Sequence, residues 1–267
     1  MSGLKAVIFD WAGTTVDFGC FAPTKVFVEV FRQKGIEITI GEARTPMGMH
    51  KKDHISEIIR MPRVEQLWLE HHGTACTYAD IEDMYASFLP LQLDIIGQHS
   101  DLIPELPFAL REIRQRGLII GSTTGYNQSM MDIVMHNAAD QGYMPDVMVC
   151  ATDVSVGRPA PWMAFKTAER LGVYPMKAIV KIGDTKADIL EGIHAGMWSV
   201  GVVDSSNEMG LTMEELKMME PDKLHQRREV IRQNYFRAGA HFVIDTLNEI
   251  PRLIESIEEK LANNEKP

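Results

Sequence analysis

The chain has 267 residues, 45% hydrophobic and 24% charged, an ordinary globular composition with length for one or two domains and a sizeable core. A net charge of −10 excludes a broad basic surface for nucleic acid or anionic membrane, although a pocket with a few local cations can still take a small anion. Three cysteines (Cys20, Cys76 and Cys150) give no disulfide framework or zinc spacing, the N-terminus lacks the shape of a signal peptide, and no apolar stretch approaches the ~20 residues of a membrane span, so the expectation is a cytoplasmic protein.

In chain order, residues 5–9 (KAVIF) form a short apolar run ending in Asp10 and a small-residue turn, as a buried parallel strand does. Residues 20–99 hold no such strand. Val26, Phe27, Val30 and Phe31 recur at helical spacing, and residues 79–96 form a second helical stretch that Pro90 is expected to kink or divide. This predicts a helical domain over 20–99 inserted into a core of residues 1–19 and 100–267. Buried-strand patterns return at 118–122, 147–150, 178–182 and 199–203, separated by helical patterns at 104–116, 128–141, 161–171 and 185–195. The polar, helix-prone segment 205–233 is expected to decorate the core, with a last strand at 241–244 and a C-terminal helix. Strand–helix alternation of this kind predicts an α/β fold with a Rossmann-like parallel sheet.

Ligands of an open parallel sheet bind at the carboxyl ends of its strands. There the chain delivers Asp10 in DWAGTTVD, then Ser122-Thr123-Thr124-Gly125-Tyr126, then Gly157-Arg158-Pro159, then Gly183-Asp184-Thr185 with Asp188 four residues after Asp184. Carboxylates without nitrogen or sulfur partners favour magnesium, and hydroxyls, freed amides and an arginine favour a phosphoryl group. Any one of these residues reads as an ordinary turn or helix cap; the ordered set at successive strand ends points to phosphoryl transfer.

DWAGTTVD, STTG, GRP and GDTKAD resemble the four motifs of the haloacid dehalogenase superfamily. The resemblance implies that Asp10 is a nucleophile forming an aspartyl-phosphate. Thr124 and the Gly125 amide would bind phosphate, and Arg158 would be the third-motif cation. Asp10, Asp184 and the Ala12 carbonyl would hold one magnesium ion per subunit, with Asp188 supporting the metal directly or through water. One departure is informative: most phosphatases of the superfamily carry a second Asp two residues after the nucleophile, where this chain has Ala12. Without that acid an alkoxide leaving group departs unprotonated, at a typical rate cost of ~10²–10⁴.

The segment TPMGMHKKDH suggests another solution. On a helix, Met47, Lys51 and His54 fall at i, i+4 and i+7 on one face. A lysine on a partly apolar face can lose its proton and condense with a carbonyl substrate, and a protonated imine then accepts the electrons of a breaking carbon–phosphorus bond. By themselves, Lys51 beside Lys52 reads as solvated surface, His54 as structural and Met47 as packing. Yet DWAGTTVDFGCFAP, PMGxxKxDH, GSTTGY, GRPxPW and GxxAGMWSVGV are similar to the phosphonatase family, the phosphonoacetaldehyde hydrolases, across nearly the whole chain. That resemblance implies a Rossmann-like core with a helical cap, a Schiff-base lysine at Lys51, a closed site lined by Met47, Gly48, His54, Cys20 and Tyr126, a small phosphonate substrate and a homodimer through the caps. Two alternatives share the core motifs. An ester phosphatase or sugar phosphomutase wants an acid at position 12 and has no use for Lys51. A non-catalytic phosphometabolite-binding protein would have lost a nucleophile or metal residue.

Overall fold

The apolar run after Lys5 becomes β1 (Ala6–Phe9), buried throughout, as suits the interior of a parallel sheet. The computed structural model describes residues 3–267. After β1 it leaves the sheet for five helices, α1 (Phe21–Gln33), α2 (Ile40–Arg44), α3 (Lys51–Ile59), α4 (Pro62–His72) and α5 (Tyr78–Ile96). It returns through α6 (Leu106–Gln115), β2 (Ile119–Thr124), α7 (Gln128–Asp140), β3 (Val147–Cys150), α8 (Trp162–Leu171), β4 (Ile179–Gly183), α9 (Lys186–His194) and β5 (Trp198–Val202). Helices α10 (Met213–Met218) and α11 (Pro221–Arg237), strand β6 (Phe242–Ile244) and helix α12 (Ile250–Ala262) complete it.

The six strands are parallel in the order β3-β2-β1-β4-β5-β6, the Rossmann-type arrangement expected. Alternate residues of β1 feed the two faces: Val7 and Phe9 meet the side covered by α6, α7 and α12, while Ala6 and Ile8 meet α8. Connections leave β1 in both directions, so its carboxyl end is the topological switch point. Phe9 lies in register with Ser122 on β2 and Ile182 on β4, which brings Asp10, Thr123–Thr124 and Asp184 to one edge.

Above that edge stand α1 to α5. Their apolar stripes (Phe27, Phe31, Ile55, Ile58, Met84, Phe88) are buried against one another, with the Phe27 and Phe88 ring centroids 4.6 Å apart. Pro90 does not divide α5. The helix runs through it unbroken, because packing against α1, α3 and α7 outweighs the one backbone donor that proline lacks. The two linkers to the core are joined at the start of α1. Asp17 accepts from the Phe21 and Ala22 amides at 3.1 and 2.9 Å, and its Oδ1 lies 3.2 Å from Nδ1 of His99 on the returning linker. Among the described residues no helix is long and apolar enough to cross a membrane.

Candidate active site

Asp10 emerges from β1 directly onto Arg158, which sits in the loop between β3 and α8 and is buried. The guanidinium uses all three nitrogens. Nη1 donates to Asp10 Oδ1 at 2.7 Å and lies 2.8 Å from Asp188 Oδ1; Nε donates to Glu191 Oε2 at 2.9 Å; Nη2 donates to the Thr123 carbonyl and hydroxyl at 2.9 and 2.7 Å. A second cation stands behind it. Lys181, in the middle of β4 and wholly buried, places Nζ 2.8 Å from Asp188 Oδ1 and 3.6 Å from Glu191 Oε2. Sequence reasoning passed over Lys181 and Glu191. The signal was there in IVKIG, since a charge inside a central strand must be paired.

Oxygens of Asp10, Asp184 and Asp188 lie within 4.8 Å of one another, an acidic triad able to hold a metal ion. The Asn207 amide donates to Asp184 Oδ2 at 2.8 Å, and the Tyr235 hydroxyl donates to the Asp184 carbonyl. The segment 205–233 was expected only to decorate the core. It supplies Asn207, and α11, which extends past that segment to Arg237, buries Tyr235 against the site. Gly13, at φ +86°, is required here, because a Cβ would fall 2.2 Å from Asp184 Oδ2. Both oxygens of Asp188 are engaged, Oδ1 by Lys181 and Arg158 and Oδ2 by the Thr185 hydroxyl at 2.5 Å.

Four buried acidic side chains (Asp10, Asp184, Asp188, Glu191) therefore share two buried basic ones, Arg158 and Lys181. Burial raises the pKa of Asp10, and the Asp188 charge adds to it against Arg158. Burial followed by Asp10 and Asp188 lifts that of Asp184 well above the carboxylate range. At Asp188 burial pushes upward, but Arg158 and Lys181 outweigh it and hold the pKa low. A divalent cation held by Asp10 and Asp184 would make up the missing positive charge. Ala12 lines the same space, and its carbonyl accepts no backbone hydrogen bond among the described residues.

Helix α3 brings Lys51 down onto this edge. Its side chain is buried, with Nζ 5.0 Å from the Tyr126 ring centroid, 5.6 Å from that of Phe27 and 4.0 Å from Met47 Sδ. Burial lowers its pKa from 10.5 to about 8, although the nearby acidic groups pull it upward. Lys52 turns away to Glu82 and Tyr78. A cavity of about 20 Å³, room for one water, is lined by Asp10, Ala12, Cys20, Met47, Gly48, Lys51, Thr124, Gly125, Tyr126, Arg158 and Asp184 among others.

Two sequence expectations change. Met47 is not on the helix of Lys51 and His54; Gly48, at φ +89°, breaks the chain before α3, and Met47 reaches Lys51 from the preceding turn. His54 stands behind Lys51 and does not line the cavity. Its Nε2 donates to the Ala43 carbonyl at 2.8 Å, its ring lies 3.7 Å from that of Phe27, and burial pushes its pKa well below 6.5, so the imidazole is neutral. Cys20, in left-handed conformation before α1, is held as the thiol by burial and by Asp184 and Asp17.

The helical layer closes on the core through glycines. A Cβ on Gly125 would meet the Met49 carbonyl at 2.8 Å, and one on Gly48 would meet Thr185 Oγ1 at 2.4 Å. Gly48→Ala is expected to hold the layers apart and lower kcat/KM by about 10²-fold, at a strain cost of about 1–3 kcal/mol. Gly73→Ala, also at positive φ but with nothing within 4 Å, should lose stability and keep activity; steady-state kinetics with thermal melts checks the pair.

A family model described as haloacid dehalogenase-like hydrolase matches residues 4–196. The chain is 48% identical over 257 residues to a phosphonoacetaldehyde hydrolase of Bacillus anthracis, covering 96% of this chain and 97% of that protein. It is 46% identical over 262 residues to the bifunctional phosphonoacetaldehyde hydrolase/aminoethylphosphonate transaminase of Clostridioides difficile (strain 630), and there spans 98% of itself but 41% of the longer relative. Among solved structures, a phosphonoacetaldehyde hydrolase-like protein from Oleispira antarctica superimposes with a TM-score of 0.97 at 42% identity, covering 100% of this chain and 97% of that one.

Proposed function

Because the chain belongs to the haloacid dehalogenase-like hydrolases, with a relative named phosphonoacetaldehyde hydrolase over 96% of its length, we propose that it hydrolyses the carbon–phosphorus bond of phosphonoacetaldehyde to acetaldehyde and phosphate. The observation that carries this reading is Lys51, buried with a pKa of about 8, lining one cavity with Asp10 where Ala12 stands in place of a general acid. An ester phosphatase needs the acid and leaves Lys51 without employment.

Residues 20–99 act as a cap that opens, since a water-sized cavity cannot hold the substrate, and closes again to exclude solvent. Thr124 and the Gly125 amide bind the phosphonate, and Arg158, shared among Asp10, Asp188, Glu191 and Thr123 at rest, turns its Asp10-facing donor to it. Asp10, Asp184 and the Ala12 carbonyl would hold magnesium, which would offset charge on the phosphoryl oxygens; Asp188, its oxygens already engaged, anchors Arg158 and would support the metal ligands from behind. The amine of Lys51 condenses with the aldehyde and releases water. Asp10 attacks phosphorus, and the electron pair of the breaking bond passes through carbon into the protonated imine, giving an enamine. Protonation at carbon and hydrolysis free acetaldehyde and Lys51; a second water releases phosphate from Asp10. Met47, Cys20, Gly48 and Tyr126 wall the site. His54, neutral and behind Lys51, keeps that lysine in place. A homodimer through the caps and a cytoplasmic location belong to the same proposal.

Incubation with phosphonoacetaldehyde and magnesium should yield equal acetaldehyde and phosphate, and borohydride added with substrate should inactivate the enzyme with a mass increase on Lys51. Full activity after borohydride counts against the imine. Turnover of simple phosphate esters in place of the phosphonate restores the phosphatase reading.

A further inference from the structure

A second cavity of the molecule does not lie over Asp10. A groove of about 710 Å³ runs along the seam between the helical layer and the core, and Arg44, Lys186, Arg227 and Arg237 line it. Glu208 is its single acidic residue among the described residues, on a chain whose net charge is −10. None of the four cations forms an ion pair among the described residues, whereas Arg228 and Arg232 on the same helix as Arg227 and Arg237 are paired with Asp204 and Asp245. Arg44 Nη2 is buried without a hydrogen-bond partner.

The groove and the catalytic cavity are neighbours of one intermediate space. A space of about 210 Å³ shares Thr45, Lys186, Asn207 and Glu208 with the groove, and shares Met47 and Thr185 with the cavity at Asp10. Asn207 also ties the two ends: its carboxamide nitrogen donates to the Arg44 carbonyl at 3.1 Å, and its main-chain amide donates to Asp184 at 2.8 Å. Unpaired cations along a low-dielectric wall raise the local concentration of anions, with typical gains of about 10–10³ in encounter rate. Like charges kept together without counterions are costly unless an anion visits them.

Resting on the function proposed above, we infer that this groove is an anion-capture subsite, which takes the phosphonate dianion of incoming substrate and passes it along the seam to the Asp10 site as the cap opens. The same cations receive departing phosphate.

The test is the double variant Lys186→Gln/Arg237→Gln, two exposed positions outside the catalytic cavity. With phosphonoacetaldehyde at low ionic strength, kcat/KM should fall about 5–10-fold while kcat stays within two-fold, and the dependence of kcat/KM on salt should flatten. Lys186→Arg/Arg237→Lys should restore both. Unchanged kcat/KM with an unchanged salt slope overturns the inference. If the parent does not turn over phosphonoacetaldehyde, it is the proposed function that fails. The groove is then tested with inorganic phosphate, whose association is followed by stopped-flow fluorescence of Trp11 next to Asp10. A slower, salt-insensitive association in the glutamine variant supports the subsite; an equal rate, or no association in the parent, removes it.

Discussion

Lys51→Arg is expected to end carbon–phosphorus cleavage, with kcat lower by at least ~10⁴-fold and the helical layer still folded. Arginine keeps the positive charge over Tyr126 and Phe27 but stays protonated and cannot condense with an aldehyde. The parent should also betray its poised amine through pH. Desolvation disfavours the ammonium and sets the pKa near 8, so about a tenth of Lys51 is free amine at pH 7, against roughly one part in 3,000 for a solvated lysine. Borohydride trapping should therefore accelerate through pH 8 and level off above it. A rate still climbing at pH 10 would mean that burial does not poise Lys51, and a fully active arginine variant would remove it from the chemistry.

Asp10→Asn should be as damaging to turnover, by at least ~10⁴-fold, and of opposite sign for stability. Burial and Asp188 together raise the pKa of Asp10, so its ionised form opposes folding at neutral pH. An amide removes that charge. Without added metal the variant should be more stable than the parent by about 1 kcal/mol, a Tm rise of roughly 2–4 °C for a domain of this size. Calorimetry in chelator separates the two roles: lost activity with a raised Tm marks a strained nucleophile, whereas lost activity with a lowered Tm marks a structural acid.

Much of this was legible beforehand because buried parallel strands announce themselves as apolar runs, and a switch-point fold sends their ends to one edge. Asp10, Thr124 and Asp184 were singled out that way, and the fold brings them to line one cavity with Arg158. What was not legible is what tertiary contact decides. Gly48 gives no sign in the sequence that it will adopt φ +89° and interrupt the helical spacing from Met47 to Lys51. Pro90 looks like a breaker until three helices press on α5. Tyr235 lies just beyond the polar segment 205–233, and only the fold brings its hydroxyl to the Asp184 carbonyl. Lys181 and Glu191 were passed over for different reasons: the strand around Lys181 is so apolar that its pattern survives the charge, and Glu191 sits among the other polar residues of KADILEGIH, where it looks like a surface glutamate.

That ion cluster bears on how such a chain can diverge. Arg158, Lys181, Asp188 and Glu191 are each buried and each touch at least two of the others. Losing one member leaves an uncompensated buried charge, typically 3–5 kcal/mol, out of a stability that rarely exceeds about 5–15 kcal/mol. A descendant that trades Arg158 for lysine gives up several of the donors that now reach five acceptors, and must change its neighbours in the same step. The four positions are one unit of inheritance, free to be rewritten as a group and nearly immobile one at a time.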